Sequence, residues 1–204
     1  MGLGNIFYNI VVLISSNVIV LIKKVVMLLH EKNGLHFLLL LDTSGSMYGE
    51  KMLSLKKAAE NLLEGLRDAN ITPEPLAALM TYGGTPKLCV PFSPVSSFEL
   101  PELKPWGASA LTDALALTQA IIKQETTLIL ISDGRPDDNN YVKKIMDMPL
   151  ITYIVAVETG PDADTNMLEL FCAGRGQVVP AYSTEFMGDY LIQKEWYRGE
   201  HLRR

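Results

Sequence analysis

The chain has 204 residues, 48% of them hydrophobic and 20% charged, which is enough apolar material for one substantial core and too much for a largely disordered protein. The formal net charge is −5 with no long basic run, which argues against nucleic acid as a partner. Two cysteines, Cys89 and Cys172, are too few for a disulfide framework, and their apolar surroundings predict buried thiols in a reducing compartment. The three histidines, His30, His36 and His201, lack zinc-type spacing and are expected as surface or packing residues.

Residues 1–33 form an apolar leader. Phe7 to Ile22 is sixteen residues of mostly Ile, Val and Leu, interrupted by Asn9 and Ser15-Ser16-Asn17 and followed by Lys23-Lys24 and a second apolar patch, Val25 to Leu29. A spanning helix wants about 20 apolar residues, so this run is short and spoiled in its middle. It carries neither the leading positive charge nor the small-residue cleavage site of a signal peptide. Three readings stay open: an artefactual or disordered leader with the natural start at Met27, a membrane anchor, or a packed element. As an anchor, its trailing lysines would put the remainder in the cytoplasm. All three keep the main domain, 34–193, cytosolic, with membrane contact only through residues 7–29.

His36 to Leu41 is short, continuous and apolar, the pattern of a strand covered on both faces. Glu50 to Asn70 is a helix with Met52, Leu55, Ala58, Ala59, Leu62, Leu63 and Leu66 on one side. Lys51, Lys56, Lys57, Glu60, Glu64 and Arg67 fall on the other side. Asn70 is placed to end the helix in a left-handed conformation, and Pro73 prevents its continuation. Leu76 to Tyr82 is a second strand, and Lys87 to Phe92 a third, assigned to an edge because Pro86, Pro91 and Pro94 lie in or beside it. Pro94 to Pro105 is loop with one helical turn at most. Ala110 to Lys123 is a second strong helix, Thr127 to Ile131 another buried strand, Asp137 to Met146 a short helix and Thr152 to Val157 a strand. Asn166 to Ala173 is a helix closed by Gly174, Gln177 to Tyr182 the last strand and Thr184 to Ile192 the last helix. The tail, 194–204, is polar and unassigned. Strands alternating with helices, and strands that are continuous apolar runs, predict an α/β fold: a Rossmann-like, doubly wound, mostly parallel sheet with helices on both faces.

In such a sheet ligands bind beyond the carboxyl ends of the strands, where the winding reverses. Leu38 to Leu41 runs into Asp42-Thr43-Ser44-Gly45-Ser46, and Leu128 to Ile131 runs into Ser132-Asp133-Gly134. Ser109, at the front of its helix, can approach from the side. Asp42, Ser44, Ser46, Ser109 and Asp133 offer oxygen atoms only, a donor set that selects Mg²⁺, Mn²⁺ or Ca²⁺ over zinc or copper. Each piece also has an ordinary structural reading. Asp42 to Ser46 could be a strand-to-helix turn with Ser46 as N-cap, Ser109 a helix cap, and Asp133-Gly134 a turn dipeptide.

Asp42-Thr43-Ser44-Gly45-Ser46-Met47 resembles the Asp-x-Ser-x-Ser motif of von Willebrand factor A domains, the metal-ion-dependent adhesion site. The resemblance runs from about Gly34 to Gln193. Gly107-Ala108-Ser109 stands where the family has Gly-Gly-Thr, so Ser109 stands for the threonine, and Asp133 matches the family's last acid. The wording Asp-Thr-Ser-Gly-Ser-Met-Tyr-Gly-Glu-Lys and Asp-Gly-Arg-Pro is similar to compact bacterial members, including those encoded with tellurium-resistance stress clusters. The resemblance implies direct metal ligation by Ser44, Ser46 and Ser109, and ligation largely through water by Asp42 and Asp133. It leaves one position for an Asp or Glu of a protein partner. The expected function is therefore Mg²⁺-dependent protein binding without catalysis. A metal-assisted hydrolase and an interaction domain with an empty site remain as alternatives. An aspartic-protease dyad is excluded because Ser44 occupies its glycine position and the fold is not all-β. No Walker spacing and no Gly-x-Ser-x-Gly elbow occurs.

Overall fold

The strand His36–Leu41 (β1) is buried along its whole length and lies between two parallel neighbours, as its uninterrupted apolar run requires. The computed structural model describes residues 34–186, 188 and 190–192. The leader 1–33 with its expected membrane contact, the tail 194–204, His30 and His201 lie outside the described residues. The other strands are Leu76–Thr81 (β2), Lys87–Pro94 (β3), Thr126–Ser132 (β4), Ile151–Glu158 (β5) and Gly176–Pro180 (β6). They form one six-stranded sheet in the order β3-β2-β1-β4-β5-β6, parallel throughout except for the antiparallel edge strand β3. The expected doubly wound α/β sheet is what the chain forms.

The helices are Glu50–Asp68 (α1), Leu111–Ile121 (α2), Tyr141–Met146 (α3) and Thr165–Cys172 (α4). Alternation along β1 divides the core in two. Phe37, Leu39 and Leu41 face the apolar stripe of α1, including Leu55, Ala59, Leu62 and Leu66. Leu38 and Leu40 face Leu111, Leu115, Ile145, Leu168 and Phe171 from α2, α3 and α4. Among the described residues no helix is long and apolar enough to cross a membrane.

Several boundaries shift for local reasons. Helix α1 stops at Asp68, and Asn70 takes the left-handed conformation (φ 46°) expected of a terminator. Helix α3 starts at Tyr141 instead of Asp137, because the Asp138 carboxylate accepts from Asn140 N–H (2.7 Å) and from the Thr112 hydroxyl (2.7 Å), holding a turn in place of a first helical turn. At the far end, β6 stops at Pro180 and Ala181–Phe186 is a 3₁₀ turn, so the helix expected from Thr184 starts later, with α-helical residues at 188 and 190–192. The Ser183 and Thr184 hydroxyls bond back to the Pro180 and Ala181 carbonyls there. Cys172 is buried, and burial pushes its thiol up to about 11. Cys89, expected to be buried as well, is only half-buried, because the edge strand β3 has one open side. His36 packs edge-on against Phe92 and accepts from the Gln124 side chain; burial lowers its pKa.

Leu39 is fully buried at the centre of the sheet. Leu39→Ala should cost about 2–5 kcal/mol of unfolding free energy by urea denaturation.

Candidate metal centre

The winding reverses between β1 and β4, which are neighbours with Leu41 paired to Ile131. Asp42 and Asp133 are the residues that leave this crevice. Asp42 N–H bonds the Ile131 carbonyl (2.9 Å), continuing the ladder one step beyond β1. The Asp42 carboxylate is fully buried and accepts from Ser44 N–H (2.9 Å) at Oδ1 and from the Ser132 hydroxyl (2.7 Å) at Oδ2. Ser132 Oγ in turn accepts from Gly134 N–H (3.0 Å), so one hydroxyl joins the two loops.

The third segment is stitched to the first by main-chain bonds. Trp106 N–H donates to the Thr43 carbonyl (2.7 Å), Gly45 N–H to the Gly107 carbonyl (2.9 Å) and Gly84 N–H to the Ala108 carbonyl (2.9 Å). Gly83 N–H donates to the Thr43 hydroxyl (2.9 Å), and Gly83 forms an isolated antiparallel bridge with Ser109. Asp137 N–H reaches the Ser109 carbonyl (3.1 Å), joining this segment to the loop after β4. Close approach requires glycine at position 83, where an added Cβ would lie 2.0 Å from the Thr43 carbonyl oxygen and 2.6 Å from that of Trp106. Three loops far apart in sequence therefore form one bonded cluster.

Within it, Ser44, Ser109 and Asp133 are buried, whereas Ser46 is exposed with its hydroxyl 3.1 Å from that of Ser44. The two cap readings do not hold, whereas Gly134 does turn the chain after Asp133 with φ 76°. The N-cap of α1 is Gly49, not Ser46. The N-cap of α2 is Ala110, and among the described residues the buried Ser109 hydroxyl has no hydrogen-bond partner. Asp133 Oδ1 is likewise buried and unpartnered, as is the Tyr82 hydroxyl. A buried polar atom without a partner costs about 1–3 kcal/mol, and two such oxygens occur among the five expected to face a cation.

Electrostatics follow from the burial. Desolvation raises the pKa of Asp42, against the opposing hydrogen bonds from Ser44 and Ser132, and the Asp133 charge raises it further. Burial, then the Asp42 charge, push the Tyr82 phenol well above its ordinary range. Burial, more than mutual repulsion, thus disfavours ionisation in the cluster. An oxygen-only set with two buried acids and orphaned oxygens fits a hard divalent cation. Among the described residues there is no group of three or more His, Cys, Asp or Glu side chains able to hold a metal, so any cation here would depend on hydroxyl donors.

Lys51 is the residue the amphipathic pattern misplaced. Counted on the solvent side of α1, its side chain is only 15% exposed, and Nζ lies 2.9 Å from Asp133 Oδ2 and 2.9 Å from Asp162 Oδ1. Burial alone would lower its pKa, but hydrogen bonds and charges from Asp162 and Asp133 outweigh that and raise it. Asp162 is lowered, chiefly by the Lys51 hydrogen bond. One sequence signal existed: a lysine in the first turn of a helix opposes the helix dipole and so asks for a local acid. Ser132, Thr43 and Tyr82 had no comparable signal.

The family model described as von Willebrand factor type A domain matches residues 37–135. No match was found among curated proteins. Among solved structures, the chain is similar to an aerotolerance-related membrane protein from Bacteroides fragilis NCTC 9343 with multiple mutations to serines, at 15% identity and TM-score 0.59 over 78% of this chain and 98% of that one. It is similar to a von Willebrand factor type A protein from Catenulispora acidiphila, at 15% identity and TM-score 0.60 over 78% of this chain and 42% of that one. It is also similar to the manganese-loaded TRAP protein of Plasmodium vivax, at 15% identity and TM-score 0.54 over 74% and 70% of the two chains. At these identities the likeness is one of fold.

Because folding raises the pKa of Asp42, its contribution to stability is present below the unfolded carboxyl range, near pH ~4, and is lost as pH rises through the folded value. Asp42→Asn should therefore show a smaller loss of stability between acid and neutral pH than the parent, both in EDTA. Melting curves across that range check it. Gly83→Ala should cost about 1–3 kcal/mol, because only main chain surrounds the added methyl; denaturant unfolding measures this.

Proposed function

We propose that the chain, whose residues 37–135 match the von Willebrand factor type A domain model, belongs to that family and binds a protein partner through a divalent cation held at the crevice between β1 and β4. Ser44, Ser46 and Ser109 would be the direct ligands, with Asp42 and Asp133 acting largely through water. Mg²⁺ is the leading candidate, and Mn²⁺ or Ca²⁺ suit the same oxygens. Bound there, the ion would supply a positive centre able to accept an Asp or Glu of the partner. The observation that carries this reading is the pair of buried, unpartnered oxygens, Ser109 Oγ and Asp133 Oδ1, the first of which is not a helix cap.

Both carboxylate oxygens of Asp42 are already hydrogen-bonded, to Ser44 and Ser132, so its proposed role is to orient the Ser44 loop and hold a water. Neutral hydroxyl ligands leave a cation much of its charge, which is what recognition of an outside acid needs. Exposed aromatic side chains on the joined loops, Tyr48 and Trp106, offer apolar area beside that acid. The reading is one of binding without turnover. Its proposed setting is the cytoplasm, from the two free thiols and no disulfide need, in a bacterial stress system by the wording of the Asp42–Lys51 loop.

Calorimetric titration with MgCl₂ or MnCl₂ should give a dissociation constant on the order of micromolar to millimolar, abolished in Asp42→Asn and Ser44→Ala. Ser109→Ala should weaken binding about tenfold or more, equal to about 1.4 kcal/mol. It should leave the EDTA-treated protein no less stable, since the hydroxyl removed has no partner to lose, and Ser109→Thr should keep binding. An unfolded Ser109→Ala with unaltered metal affinity would make Ser109 a packing residue and remove the basis of the proposal. A partner captured from the host should be retained in Mg²⁺ and released by EDTA.

A further inference from the structure

The ammonium group of Lys51 stands inside the cluster without being part of its oxygen set. Its Nζ donates to Asp133 Oδ2 (2.9 Å) and to Asp162 Oδ2 (3.0 Å), so it bridges a fully buried acid and a half-exposed one. The route to that position is built. Gly49, with φ 79°, brings the chain into α1 just ahead of Lys51. The lysine stem then crosses Gly160, where an added Cβ would lie 3.0 Å from both Lys51 Cγ and Cε. Gly160 has φ 88°, so side chains are disfavoured there on two counts.

Asp162 does not depend on Lys51 for its place. Its loop is fixed to the end of β4 by main-chain bonds, Thr159 N–H to the Ser132 carbonyl (3.0 Å) and Asp164 N–H to the Asp133 carbonyl (2.8 Å). Arg135 also holds it, pairing with Asp162 Oδ2 at 3.0 Å and donating to its carbonyl at 2.6 Å. The Lys51 ammonium therefore has two seats. One is on the buried acid of the proposed centre, and the other stands outside it on independently anchored backbone.

We infer that Lys51 is the resident cation of this centre and sets its affinity for divalent ions. Without metal, the ammonium neutralises Asp133, the buried acid that has no other hydrogen-bond donor among the described residues. With metal, the same ammonium opposes the incoming charge, and Asp162 is the seat that lets it stay bound while Asp133 turns its charge to the ion. Lys51 acts through Asp133 and Asp162, so it is a positioning residue. The inference rests on the proposed metal-dependent reading of the same site.

The test is calorimetric titration of the full chain with MnCl₂, together with melting in EDTA. Lys51→Met should bind Mn²⁺ about tenfold or more tightly than the parent and should melt earlier in EDTA. Asp162→Asn should weaken Mn²⁺ binding severalfold, because the ammonium is then left on Asp133 alone, and this loss should vanish in a Lys51→Met background. Unchanged or weaker binding in Lys51→Met would overturn the inference and make Lys51 a strut that orients Asp133. If Lys51→Met does not fold in EDTA, an Asp162→Asn affinity equal to the parent's overturns it equally. Binding by Lys51→Met where the parent shows none would support the inference. No binding by either would bring down the metal reading itself along with it.

Discussion

The side-by-side pairing of β1 and β4 is the constraint on which the rest of the molecule depends. Both strands are buried on both faces, so their direction and register are fixed by the two cores they separate. With Leu41 opposite Ile131, the chain has no freedom over where Asp42 and Asp133 emerge. They leave the sheet at its one point of divergence, where helices on opposite faces part and open a crevice. The acids therefore owe their burial to hydrophobic packing beneath them. The unfavourable ionisation of Asp42 is a cost that this packing sustains.

That cost organises the loops. Asp42 draws Ser44 N–H and the Ser132 hydroxyl to itself, and Thr43, its neighbour, ties down Gly83 and Trp106 through its hydroxyl and carbonyl. The result is a rigid floor made largely of main chain, with the unpartnered oxygens of Ser109 and Asp133 left over. Most of the polar groups in the crevice are thus committed to structure. The uncommitted ones, together with the Lys51 ammonium, are those that a ligand could reorganise without dismantling the fold.

Much of this was legible in the chain because burial on both faces writes itself plainly. The run from His36 to Leu41 matched β1 residue for residue, and the long amphipathic stretch after it gave α1 to within two residues at its end. The acids at the strand ends were legible for the same reason, since an apolar strand that stops at an acid in this topology points to the crevice. What escaped were features that depend on partners far along the chain. Lys51 obeys the polar side of a helical pattern, and only a loop 111 residues away makes it an inward-facing cation. The last helix begins later than its pattern suggests: hydroxyls at Ser183 and Thr184 bond back to nearby carbonyls in a 3₁₀ turn, a local alternative that periodicity does not detect, and α-helical residues follow at 188 and 190–192.

The edge strand β3 carries a consequence for how another protein could attach. Recognition by strand addition needs an open row of main-chain donors and acceptors along a sheet margin. In β3 that row is broken by Pro91 and Pro94, which have no N–H, and by the register shifts along its pairing with β2. The opposite margin, β6, is five residues long and closes on Pro180. Among the described residues both flanks are thus poor templates for augmentation, a feature that guards a sheet against edge-to-edge aggregation.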